Sequence, residues 1–144
     1  MIQKEEADEK VREGWLRVSM LFEVLAINEK ASKESLEVLI NKLEKDKRAK
    51  VYKREFGEIR KVEKPLPSVD FGYSLTCEVE SISKKFDDLA QIVSEYGPSS
   101  IELLEPLKLS INAGEAQKIL NLISSIMHEF AAAGAGGIVF MRNE

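Results

Sequence analysis

His128 is the one histidine in the chain and Cys77 the one cysteine, so groups able to do chemistry are scarce. A zinc or iron site needs three or four good ligands, and these two residues lie far apart in sequence. Nucleophilic catalysis would need Cys77 or a serine beside His128, with a third group orienting the base. Cys77 sits among alternating strand hydrophobes, where a thiol serves as a small core residue. Glu78 and Glu80 stand two apart and share a strand face with Ser74 and Thr76. Paired carboxylates can hold a cation or act as acid and base, which makes Glu78 and Glu80 weak metal candidates. Cross-strand pairing with Arg17, Arg54 or Arg60 explains them more simply. Asp87 and Asp88 open a helix, where they satisfy free N–H groups and the helix dipole. The run Gly134-Ala135-Gly136-Gly137 resembles a phosphate loop, but it follows a helix and meets its negative end. It reads as a cap and exit. The expectation is no catalytic residue and no cofactor.

A net charge of −4 argues against general affinity for nucleic acid, though the charge is uneven. Residues 42–64 hold ten basic and five acidic side chains. Within them Tyr52, Arg54, Phe56 and Arg60 form a possible partner patch, since aromatics among cations stack bases in RNA-recognition motifs. The glycine–aromatic signature of those domains is absent, and Glu55 and Glu58 interrupt the patch. RNA binding is therefore a minor alternative.

The elements that must position these groups follow from periodicity. From Leu16 to Ala26, apolar residues alternate with Arg17, Ser19 and Glu23, which predicts a half-buried strand over residues 15–27. Val11, Trp15, Val18, Phe22 and Leu25 also fit helix spacing, and the β-branched content favours the strand. Leu36, Leu39, Ile40 and Leu43 predict a helix over residues 33–46, capped by Ser32. Residues 50–62 form a charged strand with a bulge at Gly57, protected by its Lys and Arg as an edge. Lys64-Pro65-Leu66-Pro67 is a turn. Residues 71–82 return as a strand. Phe86, Leu89, Ala90, Ile92 and Val93 make a second helix, stopped at Gly97-Pro98. Residues 101–109 are a strand broken by Pro106, so it is an edge strand or ends there. A long helix covers residues 114–133.

The order is β-α-β-β-α-β with one more helix. This α+β arrangement is the ferredoxin-like sandwich, a four-stranded antiparallel sheet in strand order 4-1-3-2 with an additional C-terminal helix. Residues 1–144 are read as a single domain: an N-terminal arm or frayed helix ending at Gly14 (1–14), the core (15–111), the helix (113–133) and a tail (134–144). Leu21-Phe22-Glu23-Val24-Leu25, the stretch from Tyr96 to Glu102 and Met127-His128-Glu129 resemble a family of small archaeal proteins with this element order. The eleven residues from Tyr96 to Pro106 are also similar to the end of the C-terminal extension in WYL-type bacterial transcription regulators. Neither resemblance implies functional residues.

One face of such a sheet is covered by two helices. The other would carry Trp15, Leu21, Leu25, Tyr52, Phe56 and Leu104 among Arg17, Glu23, Arg54, Glu78 and Glu80. That mixture calls for a cover, and the last helix offers one. Ile119, Leu122, Ile123, Ile126, Met127 and Phe130 give it an apolar surface wider than one stripe. A helix of that kind touches two things, which predicts a homo-oligomer, a two-fold dimer or higher, with these six residues at its interface. No apolar run approaches a membrane span, and a lone cysteine suits a reducing cytoplasm. Charged residues dominated by Lys and Glu, with Gln only at 3, 91 and 117, suggest a thermophilic source. The expected function is a non-enzymatic interaction, effector or small-ligand-binding module. A cation-dependent enzyme using Glu78 and Glu80 is the alternative.

Overall fold

The period-two segment becomes a strand, β1 at Leu16–Ala26, and the helical alternative is discarded. Its partner on one side is β4, Val69–Ser83, in an antiparallel register running from Leu16 opposite Ser83 to Ala26 opposite Tyr73. In the computed structural model, which describes residues 1–133, contacts divide the chain into Met1–Leu109 and Ser110–Glu144. The glycine run at 134–137 and the tail beyond it lie outside the described residues.

Helix α1, Lys4–Arg12, precedes β1. Helix α2 spans Glu29–Glu44, followed by β2 at Lys50–Phe56 and β3 at Arg60–Leu66. After β4 come α3, Phe86–Tyr96, and β5, Ser100–Glu105. The sheet order is β2-β4-β1-β5, and β3 also pairs with β4. All pairings are antiparallel. Five strands therefore replace the four expected. The reason is local: β2 pairs with residues 77–82 of β4 and β3 with residues 69–74, and the ladder breaks between them. Gly57 donates to Thr76 O at 2.9 Å at the break. A Cβ there would fall 2.6 Å from Thr76 Oγ1, so glycine permits the close approach.

Three boundaries differ from expectation. The arm folds as α1 because Ala7 has a place to bury. Helix α2 starts four residues early, since Asn28 is the cap and its Oδ1 accepts from Ala31 N at 2.7 Å. Ser32 instead lies buried inside the helix, donating to Glu29 O at 2.8 Å. The expected turn at Lys64-Pro65 is strand: β3 runs through to Leu66 with a register shift, and Lys64 takes a positive φ of 45°. Helix α3 ends as read, with Gly97 in the left-handed region that caps helices without steric cost. Strand β5 stops before Pro106.

The main core lies between one sheet face and helices α2 and α3. Phe22, Met20, Val18 and Leu16 of β1 meet Leu36, Ile40 and Leu43 of α2 and Leu89, Ile92 and Tyr96 of α3. Beside it Arg48 ties the loop after α2 to α3. Its guanidinium donates to Asp46 Oδ2 at 2.7 Å, to Gln91 Oε1 at 3.1 Å and to Glu95, while Tyr96 Oη donates to Asp46 Oδ2 at 2.9 Å. In the second unit, α4 spans Ala113–Ala132, with Asn112 Oδ1 accepting from Glu115 N at 2.8 Å.

Candidate functional site

Alternation along β1 and β4 places Arg17, Ser19, Leu21, Glu23 and Leu25 opposite Ile82, Glu80, Glu78, Thr76 and Ser74 on the sheet face away from α2 and α3. One end of this face is covered by α1, where Ala7 packs with Tyr52 and Ile82, and Ile2, Val11 and Trp15 close around them. At this end the cover is α1. Ile2 N also donates to Val51 O at 3.0 Å, anchoring the chain ahead of α1 to β2.

Where α1 stops covering the face, a cleft of about 670 Å³ opens, lined by Lys4, Asp8, Arg17, Tyr52, Lys53, Glu80, Leu104 and Glu105. Arg17 is its hub and is only 9% exposed. A charge that deep must be paired and hydrogen-bonded. Its Nη1 donates to Tyr52 Oη at 2.8 Å, its Nη2 to Asp8, and its Nε lies 3.5 Å from Glu105 Oε1. The bond from Arg17 holds the Asp8 carboxyl below its ordinary range. Burial, outweighing the Arg17 bond, pushes the Tyr52 hydroxyl up. Both terminal nitrogens of the guanidinium are thus occupied by its own chain, while the buried Nε has only the ion-pair neighbour Glu105. What the arrangement does chemically is fasten α1 to the sheet through a charge pair.

Glu78 and Glu80 do share this face. Glu80 faces Lys53, its register partner, at 3.6 Å, and Glu78 accepts from Ser19 Oγ at 3.3 Å. Arg17 and Arg54 serve other carboxylates, so Glu80 pairs across strands with a lysine in place of the expected arginines, and Glu78 meets a serine. Glu55 lies directly opposite Glu78, leaving two like charges adjacent. Among the described residues no three His, Cys, Asp or Glu side chains converge where a metal ion could sit.

The residues of the basic patch do not share one face. A register shift between Val51 and Lys53 reverses the alternation of β2. Tyr52 joins the α1 side, and Arg60, opposite Ser74, lies on that same face. Arg54 and Phe56 turn to the α2 side. There Arg54 reaches Glu44 Oε1 at 3.1 Å and Asn41 Oδ1 at 3.2 Å, with its guanidinium 5.9 Å from the Phe56 ring. The sequence carried no sign of the shift, because no glycine or proline marks it.

On α4, Ile119, Leu122 and Ile126 are half-buried, while Ile123, Met127 and Phe130, with Leu120, are between 49% and 61% exposed. No residue of this helix is buried. His128 is exposed on the same helix. Sequence reasoning read residues 1–14 as a frayed helix or an arm, and missed the seat of α1 on the sheet and the Arg17 hub. Ala7, Val11 and Trp15 recur at helix spacing and could have revealed the helix. Nothing in the spacing of Asp8 and Arg17 announces their pair.

Residues 17–140 match the model of the MJ0538 family. No curated protein and no solved structure matches the chain.

Proposed function

From a chain that belongs to the MJ0538 family, whose match takes in nearly the whole sheet and α4, we propose a non-enzymatic module that self-associates and acts through the seams between copies. One observation carries this reading: α4 holds Leu120, Ile123, Met127 and Phe130 about half exposed or more, at helix spacing. Burying a large apolar side chain is worth about 1.5–3 kcal/mol, so a second copy covering this stripe gains several such terms. Closed two-fold pairing is the simplest arrangement in which one stripe covers another.

The layout supports the reading by analogy. β2 and β3 line the same edge of β4, and Gly57 continues their ladder, so the two act as halves of one broken edge strand. Counted so, the order is that of a ferredoxin-like sandwich, a fold whose oligomers bind small ligands or proteins between copies. A reducing cytoplasm suits Cys77, buried in the core with its thiol pushed up by that burial. The Lys and Glu surface suits a warm source.

Ile123→Glu tests the interface. Static light scattering should report the mass of one chain for the variant and a multiple of it for the parent. Equal masses sink the α4 interface.

A further inference from the structure

In the cleft beside α1 one polar group has no partner. Arg17 Nε is buried and finds no hydrogen-bond acceptor. Glu105 Oε1 stands 3.5 Å away, near enough to share charge but not bonded to it. Buried donors without an acceptor are rare in folded chains, and each calls for an explanation.

Strand β5 is bulged at this point. Leu103 pairs with Val18 and Glu105 with Arg17, so Leu104 is the extra residue. Regular alternation from Glu102 would turn Glu105 to the α2/α3 side. The bulge returns it to the face of Arg17, and Leu104 and Glu105 line the cleft together. A carboxylate is thus re-aimed at a guanidinium whose Nε it leaves unbonded, which makes room for a third group.

The charges of the cleft indicate what that group carries. The lining holds three cations, Lys4, Arg17 and Lys53, and three carboxylates, Asp8, Glu80 and Glu105. Arg17 pairs with Asp8, and Lys53 with Glu80. Lys4 and Glu105 are left over: Lys4 acts on Asp8 only at longer range, and Glu105 has only its long contact with Nε. A bare anion would meet Glu105, and a bare cation would meet Lys4 and Arg17. A ligand with both charges meets a complement for each. Because Nε and Glu105 stand so close, those two charges must be close as well, as they are on the α-carbon of an amino acid.

We propose that this cleft binds a free α-amino acid. The carboxylate of the ligand accepts from Arg17 Nε and pairs with Lys4, while its ammonium pairs with Glu105. The Glu105 side chain is 51% exposed, so it can turn from Nε to the incoming ammonium. The ligand's own side chain lies beside Leu104 and Tyr52, which favours an aliphatic one. Every lining residue belongs to one copy, so the site stands whether or not the chain self-associates.

Titration of the isotope-labelled full chain with L-leucine, followed by NMR, tests it. The Arg17 Nε–H signal and the backbone amides of Lys4 and Glu105 should shift saturably. Isocaproate, which lacks the ammonium, and isoamylamine, which lacks the carboxylate, should leave them in place. Glu105→Gln should weaken L-leucine binding about tenfold or more, the loss expected of one charge-assisted hydrogen bond. Its melting temperature should stay near the parent's, because the side chain is half exposed. The absence of a saturable shift with millimolar L-leucine or free glycine overturns the amino-acid site. Binding of isocaproate as tight as that of L-leucine also overturns it, in favour of a simple anion. Unchanged affinity in Glu105→Gln does the same, since the ammonium then has no partner.

Discussion

The two faces of the sheet are held in different ways. On one, α2 and α3 bury a continuous apolar layer in which Phe22, Met20, Leu36, Ile40 and Ile92 are almost wholly removed from water. On the other, α1 buries only Ala7 with Tyr52 and Ile82, and its fastening depends on Arg17 reaching Asp8, Tyr52 and Glu105. A large apolar contact adds up from many weak, non-directional terms, while a hub concentrates its effect in one side chain. The first face should therefore fail globally and the second locally.

The largest effect expected is on the first face. Phe22→Ala should cost about 3–5 kcal/mol by chemical denaturation, as cavity formation adds to lost burial. A loss below about 1 kcal/mol would mean that the core is looser than its burial implies.

Arg17→Met comes next, at about 1–3 kcal/mol, since it leaves the Tyr52 hydroxyl and the Asp8 carboxylate without their donor and Glu105 without its counter-charge. The sharper measurement is hydrogen exchange. Amides of α1 should lose protection in this variant while those of β1 and β4 keep theirs. Uniform loss across the sheet would erase the contrast between the faces.

The smallest effect belongs to the polar clamp beside the first core, and pH isolates it. The Asp46 carboxyl is held well below its ordinary 3.8, chiefly by Arg48. A carboxyl lowered by folding contributes stability that is complete above its unfolded value and declines as pH falls below it. Tyr96, pushed up to about 12 by burial and by its bond to Asp46, contributes stability present below pH 10 and lost as pH rises from there. The stability gap between the parent chain and Asp46→Asn should thus narrow below pH 3.8. A gap constant down to pH 2 would exclude Asp46 as the acid-sensitive group.

Much of the fold was legible because burial on one face writes itself into periodicity. Leu16 to Ala26 alternates, Leu36 to Leu43 recurs at helix spacing, and Gly97 stops α3 where only a left-handed residue fits. The Tyr52–Lys53 register shift was not legible, and with it went the placement of Arg54 and Phe56. A one-residue slip moves every following side chain to the opposite face at no cost visible in composition. The candidate site divides in the same way. Glu78 and Glu80 share a face by arithmetic alone, but that Lys53 answers Glu80 and that Arg17 turns to Asp8 are outcomes of packing.

By itself the sequence determined β1, α2, α3 and α4, the edge character of β5, the buried place of Cys77 and the apolar stripe of α4. These follow from local spacing, which the chain carries whatever its partners. Only the tertiary structure decided between helix and arm for the polar first fourteen residues and seated the helix on the sheet. It alone decided that Arg17 is a buried hub and that the basic patch is split between two faces. Such features depend on which distant groups meet, and a charge pair nine residues apart across a turn has no period to betray it.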